Sequence, residues 1–339
     1  MGKPSGETNF GYSGRGRTLM IPPLKPSVTP RPEPADPAPA APESGAGTES
    51  GFRLPGKGNR LPVDLIRRVA VSTAAATAAG IALVLARADE ALVDRSPQGV
   101  LSSPGSFLAP AAAAWWIWMP VIAAWLGYAL YQWLPRQRDN PRQEPLGWLI
   151  LASQAAAFVW LLAVSSGNTA LLLSAAAVHI AVGLAAVHSM NIHPPSSAVE
   201  GILADAPLKI TLATGVLSLV AALAVTLTRT GADLAGWGAT VWALIGLMTV
   251  MVGITVICMT DRGHLSLALA IAWGLSCIAF ERLTGAPESL SIGVGAAVAA
   301  FLVLLSAGSR RHQVDHEQRR SERQAEARLR PEDARPAIL

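Results

Sequence analysis

Charged side chains are scarce in this chain: they make up 15% of its 339 residues, while 51% are apolar. Soluble domains carry about 25% charged residues, so a water-soluble globular fold is disfavoured from the outset. Cysteine is almost absent. The two present, Cys258 and Cys277, fall inside uncharged blocks, which argues against a disulfide framework and leaves them as small apolar packing residues. The chain has no Gly-rich phosphate loop, nucleophile elbow, His–Cys cluster or pair of carboxylates inside an apolar block. Enzymatic activity, a bound metal and a cofactor are therefore not expected. Asp94, Asp205, Asp233, Asp261, Glu281 and Glu288 all flank the uncharged blocks, where solvated carboxylates belong.

What the chain does have is long uncharged runs. No acidic or basic residue lies between Arg68 and Arg87, Arg95 and Arg136, Glu144 and Glu200, Lys209 and Arg229, Asp233 and Asp261, Arg262 and Glu281, or Glu288 and Arg310. A helix needs about 20 mainly apolar residues to cross the hydrocarbon. The Glu144–Glu200 gap holds two such helices, split at Ser165-Ser166-Gly167-Asn168. The fold class is thus an all-α integral membrane protein with eight transmembrane helices, near 67–88, 112–134, 146–165, 168–190, 207–228, 236–259, 263–281 and 288–308.

Residues 1–64 are rich in Pro, Gly and Ser and cannot bury enough apolar surface to offset their ordering entropy, so a disordered tail is expected there. A second charged tail occupies 310–339, either as a solvated helix or as disordered chain. Orientation follows from Lys and Arg near the helix ends. Lys57, Arg60, Arg67, Arg68, Arg136, Arg138, Arg142, Lys209, Arg262, Arg310 and Arg311 collect on one side, and only Arg87, Arg95, Arg229 and Arg282 on the other. An even number of spans puts both termini on the basic side, the cytoplasm, in a multi-pass cell-membrane protein. The positive charge reflects topology and attraction to membrane lipid, not nucleic acid.

Five of the ten tryptophans crowd into Ala111–Pro135: Trp115, Trp116, Trp118, Trp125 and Trp133. Trp133, Trp116 and Trp115 lie near block ends and fit interfacial anchoring. Trp118 and Trp125 are deeper, and their ring N–H groups need partners away from water, which points them inward. Pro120 is expected to bend the helix beside Trp118. His179 and Gln154 are also deep, and such polar side chains normally face a bundle interior. They suit a hydrogen-bonded pair, a proton relay or a ligand contact. His193-Pro194-Pro195 matches the motif of a family of four-helix presumed transporters, but it also reads as an ordinary loop after a helix end.

The run WWIWMPVIAAWLGYALYQWLP resembles the second helix of the tryptophan-rich sensory protein family (TspO/MBR, the peripheral benzodiazepine receptor family), in its long actinobacterial form. Trp115, Ile117, Trp118, Pro120, Tyr131, Gln132, Leu134 and Pro135 occupy its characteristic places. RQRDNPRQEPLGW is similar to the following loop and Gly-Trp, with Trp160 at the next helix's tryptophan. SSAVEGILADAPLK resembles the approach to the fifth helix, and LALAIAWGLSCIAFER a late helix of long members. The resemblance implies a five-helix TspO-like bundle over 65–230 with three appended helices over 231–309. It also implies a cleft for porphyrins or other flat hydrophobic small molecules, with Trp115, Trp118 and Trp160 as candidates to line it, and a homodimer. Family positions filled by Tyr, Asn and aromatic residues hold Ile122, Ala157, Leu208, Thr211 and Thr214 here.

The leading expectation is a membrane protein that binds a hydrophobic, tetrapyrrole-like ligand as sensor or carrier. Trp118 and Trp160 would stack on it, and Gln154 or His179 would supply a polar contact. Two alternatives stand beside it: a small-solute transporter with His179 as proton carrier and the His-Pro-Pro loop at its mouth, and a membrane scaffold without ligand.

Overall fold

The computed structural model describes residues 60–88, 90–101, 106–138, 140–195, 197–231, 233–260 and 265–329. Most of the expected disordered tail, Asp261, Arg262 and residues 330–339 lie outside these. The described residues contain helices and connections and no strand. Eight long helices follow one another: α1 (Arg60–Leu85), α2 (Trp118–Tyr131), α3 (Gln143–Ser165), α4 (Thr169–Ile192), α5 (Ala206–Thr230), α6 (Ala239–Thr260), α7 (Ser266–Thr284) and α8 (Leu290–Leu329). With their lead-in turns, eight segments are long and apolar enough to cross a bilayer. Their outward faces carry Leu130, Met248, Val256, Phe301 and Leu305, all exposed. Such a surface would drive association in water but suits hydrocarbon.

The helix ends follow from local chemistry. α3 stops at the predicted split, where Gly167 takes a positive φ and the Asn168 side chain accepts the Leu171 N–H to start α4. α5 ends on Gly231 in the left-handed region, a common helix stop. Several boundaries shift from expectation, and three points have a local cause. α1 begins at Arg60, inside the expected tail, because Asp64 pairs with Arg67 and Arg68 one turn on. α8 runs past the expected span to Leu329, the helical one of the two readings open for the charged tail, since Ala, Gln, Glu and Arg are good helix formers and opposite charges recur at helical spacing. Pro120 does not bend a continuous helix. It sits in the first turn of α2, where a missing N–H costs nothing, and the preceding Ala112–Ile117 is 3₁₀.

The first five helices close a ring: α1 packs on α2 and α3, α3 on α4, α4 on α5, and α5 on α2. α7 packs against α5, and α8 against α6 and α7. Small residues set the closest approaches. A Cβ on Gly183 would meet Leu212 Cβ at 2.7 Å, and one on Gly215 would come within 3.3 Å of Ile180. α4 and α5 therefore touch almost backbone to backbone, the close packing that substitutes for hydrophobic driving force inside a membrane.

Candidate functional site

The tryptophan-rich segment makes the wall of a cavity. The 3₁₀ turn buries Trp115, and α2 carries Trp118 and Trp125 on the same side. From α3, Trp160 stacks on Trp118 (ring centroids 5.6 Å apart, interplanar angle 26°) and lies 5.8 Å from Trp115. Trp118 also sits 6.2 Å from Trp125. These four indoles and that of Trp116, with Ile81 of α1 and Phe158 of α3, line a cavity of about 540 Å³. That volume lies within the roughly 300–1,000 Å³ of small-molecule sites. Its lining includes late α1, early α2 and late α3, so it occupies the half of the ring away from the start of α3. No charged side chain lines it among the described residues.

Of the site residues expected from sequence, Trp115, Trp118 and Trp160 come together here. Trp115 is buried, not interfacial, because the 3₁₀ turn aims it at Trp160. Trp116 and Trp133 are exposed, and Trp133 Nε1 donates to Ser72 Oγ. Gln154 and His179 do not line the cavity. His179 stands behind Trp118, ring centroids 6.0 Å apart. The expected Gln154–His179 hydrogen bond is not formed: both side chains are fully buried, and neither makes a hydrogen bond among the described residues. The indole N–H groups of Trp115, Trp118, Trp125 and Trp160 are likewise unpaired. Each such buried group costs about 1–3 kcal/mol when left unsatisfied.

A second cluster, at the opposite end of the ring, is one that sequence reasoning missed. Arg142, just before α3, lies 2.8 Å from Glu200 Oε1 and donates to Asp205 Oδ1 at 2.6 Å and to the His193 carbonyl at 2.8 Å. Gln143 donates to Glu200 and accepts from Tyr128. Its backbone carbonyl accepts from Arg67, whose guanidinium also holds Asp64. Gln132 ties α2 to the Arg68 carbonyl and to Ser72. Burial works against the Arg142 charge, yet hydrogen bonds and charge from Glu200 and Asp205 hold its pKa above the ordinary arginine value. The His-Pro-Pro stretch is a loop, fastened through its first carbonyl.

Asp205 is therefore a correction: it flanks a helix but is buried, as is Glu200. The cause is the Gly201–Asp205 turn, which is π-helical, with Ala206 N–H bonding the Gly201 carbonyl. On a regular α-helix, residues five apart point about 140° away from each other. A turn closed by i→i+5 bonds places them nearly above one another, so both carboxylates reach one guanidinium. The only sequence signal was the concentration of Glu200, Asp205 and Lys209 in an otherwise apolar stretch.

No match to the chain was found among curated proteins or among solved structures. A family model described as TSPO-like protein matches residues 70–308, which takes in the tryptophan cavity, the Arg142–Glu200–Asp205 ion set and all eight long helices at least in part. The chain is accordingly a multi-pass membrane protein with eight candidate spans that belongs to the TSPO-like protein family, whose members are generally not enzymes.

Proposed function

We propose that this TSPO-like protein binds a flat, largely apolar ligand between α1, α2 and α3, with Trp118 and Trp160 as its stacking surface. The reading is carried by one observation, the cavity of about 540 Å³ walled by Trp115, Trp118, Trp125 and Trp160. Indole faces supply large apolar area and pair best with other π-systems. Four unpaired indole N–H groups beside the cavity favour a ligand carrying acceptor atoms, reached by small rotations of the rings. A tetrapyrrole fits the family resemblance. The uncharged wall gives its carboxylates no cationic partner, so they would project from the mouth, and a neutral planar ligand suits the wall better.

Titration with protoporphyrin and with its dimethyl ester tests this. Both are expected to quench tryptophan fluorescence saturably, the ester at least as tightly as the free acid. Trp118→Ala should weaken binding at least tenfold, because its loss removes ring contacts worth about 0.5–1.5 kcal/mol each. Quenching unchanged in Trp118→Ala would remove the site from consideration. The basic side of the protein is assigned to the cytoplasm, which puts both described ends inside and the cavity in the outer half of the membrane.

A further inference from the structure

Between the tryptophan cavity and the ion cluster, a set of buried polar side chains interrupts an otherwise apolar core. Thr211, Thr214 and Ser218 recur at three and four residues, so they share one face of α5, and all are fully buried. Ser153 of α3 hydrogen-bonds Thr211 across the ring at 3.1 Å. The Thr211 and Thr214 hydroxyls donate to the Leu208 and Thr211 carbonyls, which leaves their lone pairs free to accept. Gln154 and His179, the unpaired amide and imidazole, belong to the same middle depth: they lie about 16 and about 15 Å along their helices from the nearer terminus, at about 1.5 Å per residue. Above them is Trp118, the floor of the cavity against His179. Below them the ring is shut by Arg142, held between Glu200 and Asp205.

We propose that this file of polar groups is a passage for small hydrogen-bonding solutes and that Arg142 is its closed gate. In the closed ring Ser153 and Thr211 satisfy each other while Gln154 and His179 do not. A passage that fills with water or solute on opening provides the missing partners, which a permanently dry bundle interior would not. The gate contacts are made by the start of α3, the loop after α4 and the lead-in to α5, so opening means parting these three segments. The π-helical turn is the segment suited to move, since a single such turn shifts to α-helix by passing one residue along. The proposal shares with the ligand reading only the cavity as far mouth, and its test uses no cavity ligand, so the two can fail separately.

Thiol accessibility decides it. Ser153→Cys in a Cys258→Ala/Cys277→Ala background reports the passage, and the chain retaining only Cys277, buried on α7 outside the ring, reports general loosening. Each is treated with a charged, membrane-impermeant methanethiosulfonate. Arg142→Gln and the Glu200→Gln/Asp205→Asn pair should each raise the rate at position 153 at least tenfold, with the rate at Cys277 within twofold of its parent. Arg142→Lys, which keeps the charge but not the three-way fork, should raise the rate at position 153 by less than Arg142→Gln does, with Cys277 near its parent. An unchanged rate at 153 would overturn the gate. So would an equal rise at 153 and Cys277, which is also how a misfolded variant would show itself.

Discussion

At the scale of single residues, the tryptophans were legible from sequence and their partners were not. Trp115, Trp118 and Trp160 could be named because indoles on apolar helices have few roles, and three of them meet within 6 Å. Gln154 and His179 are buried near the middle of their helices, but depth does not fix azimuth, and neither lines the cavity. The buried arginines were invisible because an arginine at a block edge reads as solvated. Arg67 shows what such a residue demands of its neighbours. A Cβ on Gly147 would fall on its guanidinium, so only glycine leaves room for the bonds to Gln143 and Asp64. Gly147→Ala is expected to lower stability by about 3 kcal/mol, since displacing one member of a buried charged set costs about 3–5 kcal/mol. Gly80→Ala, with open space around it, should be neutral or stabilising by up to about 1 kcal/mol. Thermal unfolding in detergent separates the two, and equal midpoints would refute the packing argument.

Helices and turns as units were read well where periodicity governs and poorly where it breaks. Uncharged length located all eight spans, because bilayer thickness sets one requirement for every crossing. Two irregular turns, 3₁₀ before α2 and π before α5, escaped, and both shape the candidate sites. Each changes the rotation between flanking residues relative to a regular helix: the first turns Trp115 inward, the second stacks Glu200 over Asp205. Deleting Ile202 should convert the π turn into regular α-helix and rotate Glu200 by about 100° away from Arg142. In the Ser153→Cys chain the deletion is expected to accelerate labelling at position 153 as Arg142→Gln does, while protoporphyrin quenching persists. Slow labelling in a folded deletion variant would show that the irregular turn is not what aims the carboxylates.

For the molecule as a whole, the two sites divide the ring by depth, aromatic in one half and ionic in the other, so function depends on which half faces which compartment. The lysines and arginines that give the basic side its excess include Arg67, Arg68, Arg142 and Lys209, all buried in the folded chain. Their burial does not remove them from the topological count, because orientation is set by charge flanking each span during insertion, before tertiary ion pairs exist. The same side chains can therefore orient the chain first and close the ring afterwards. Fusions of a phosphatase active only outside the cytoplasm test this directly. Activity is expected after Asp233, between α5 and α6, and none after Asn140 or after Gln324 on the extension of α8. The reverse pattern would turn the cavity to the cytoplasm and put the ion cluster on the outer face, and the proposed passage would reverse with it.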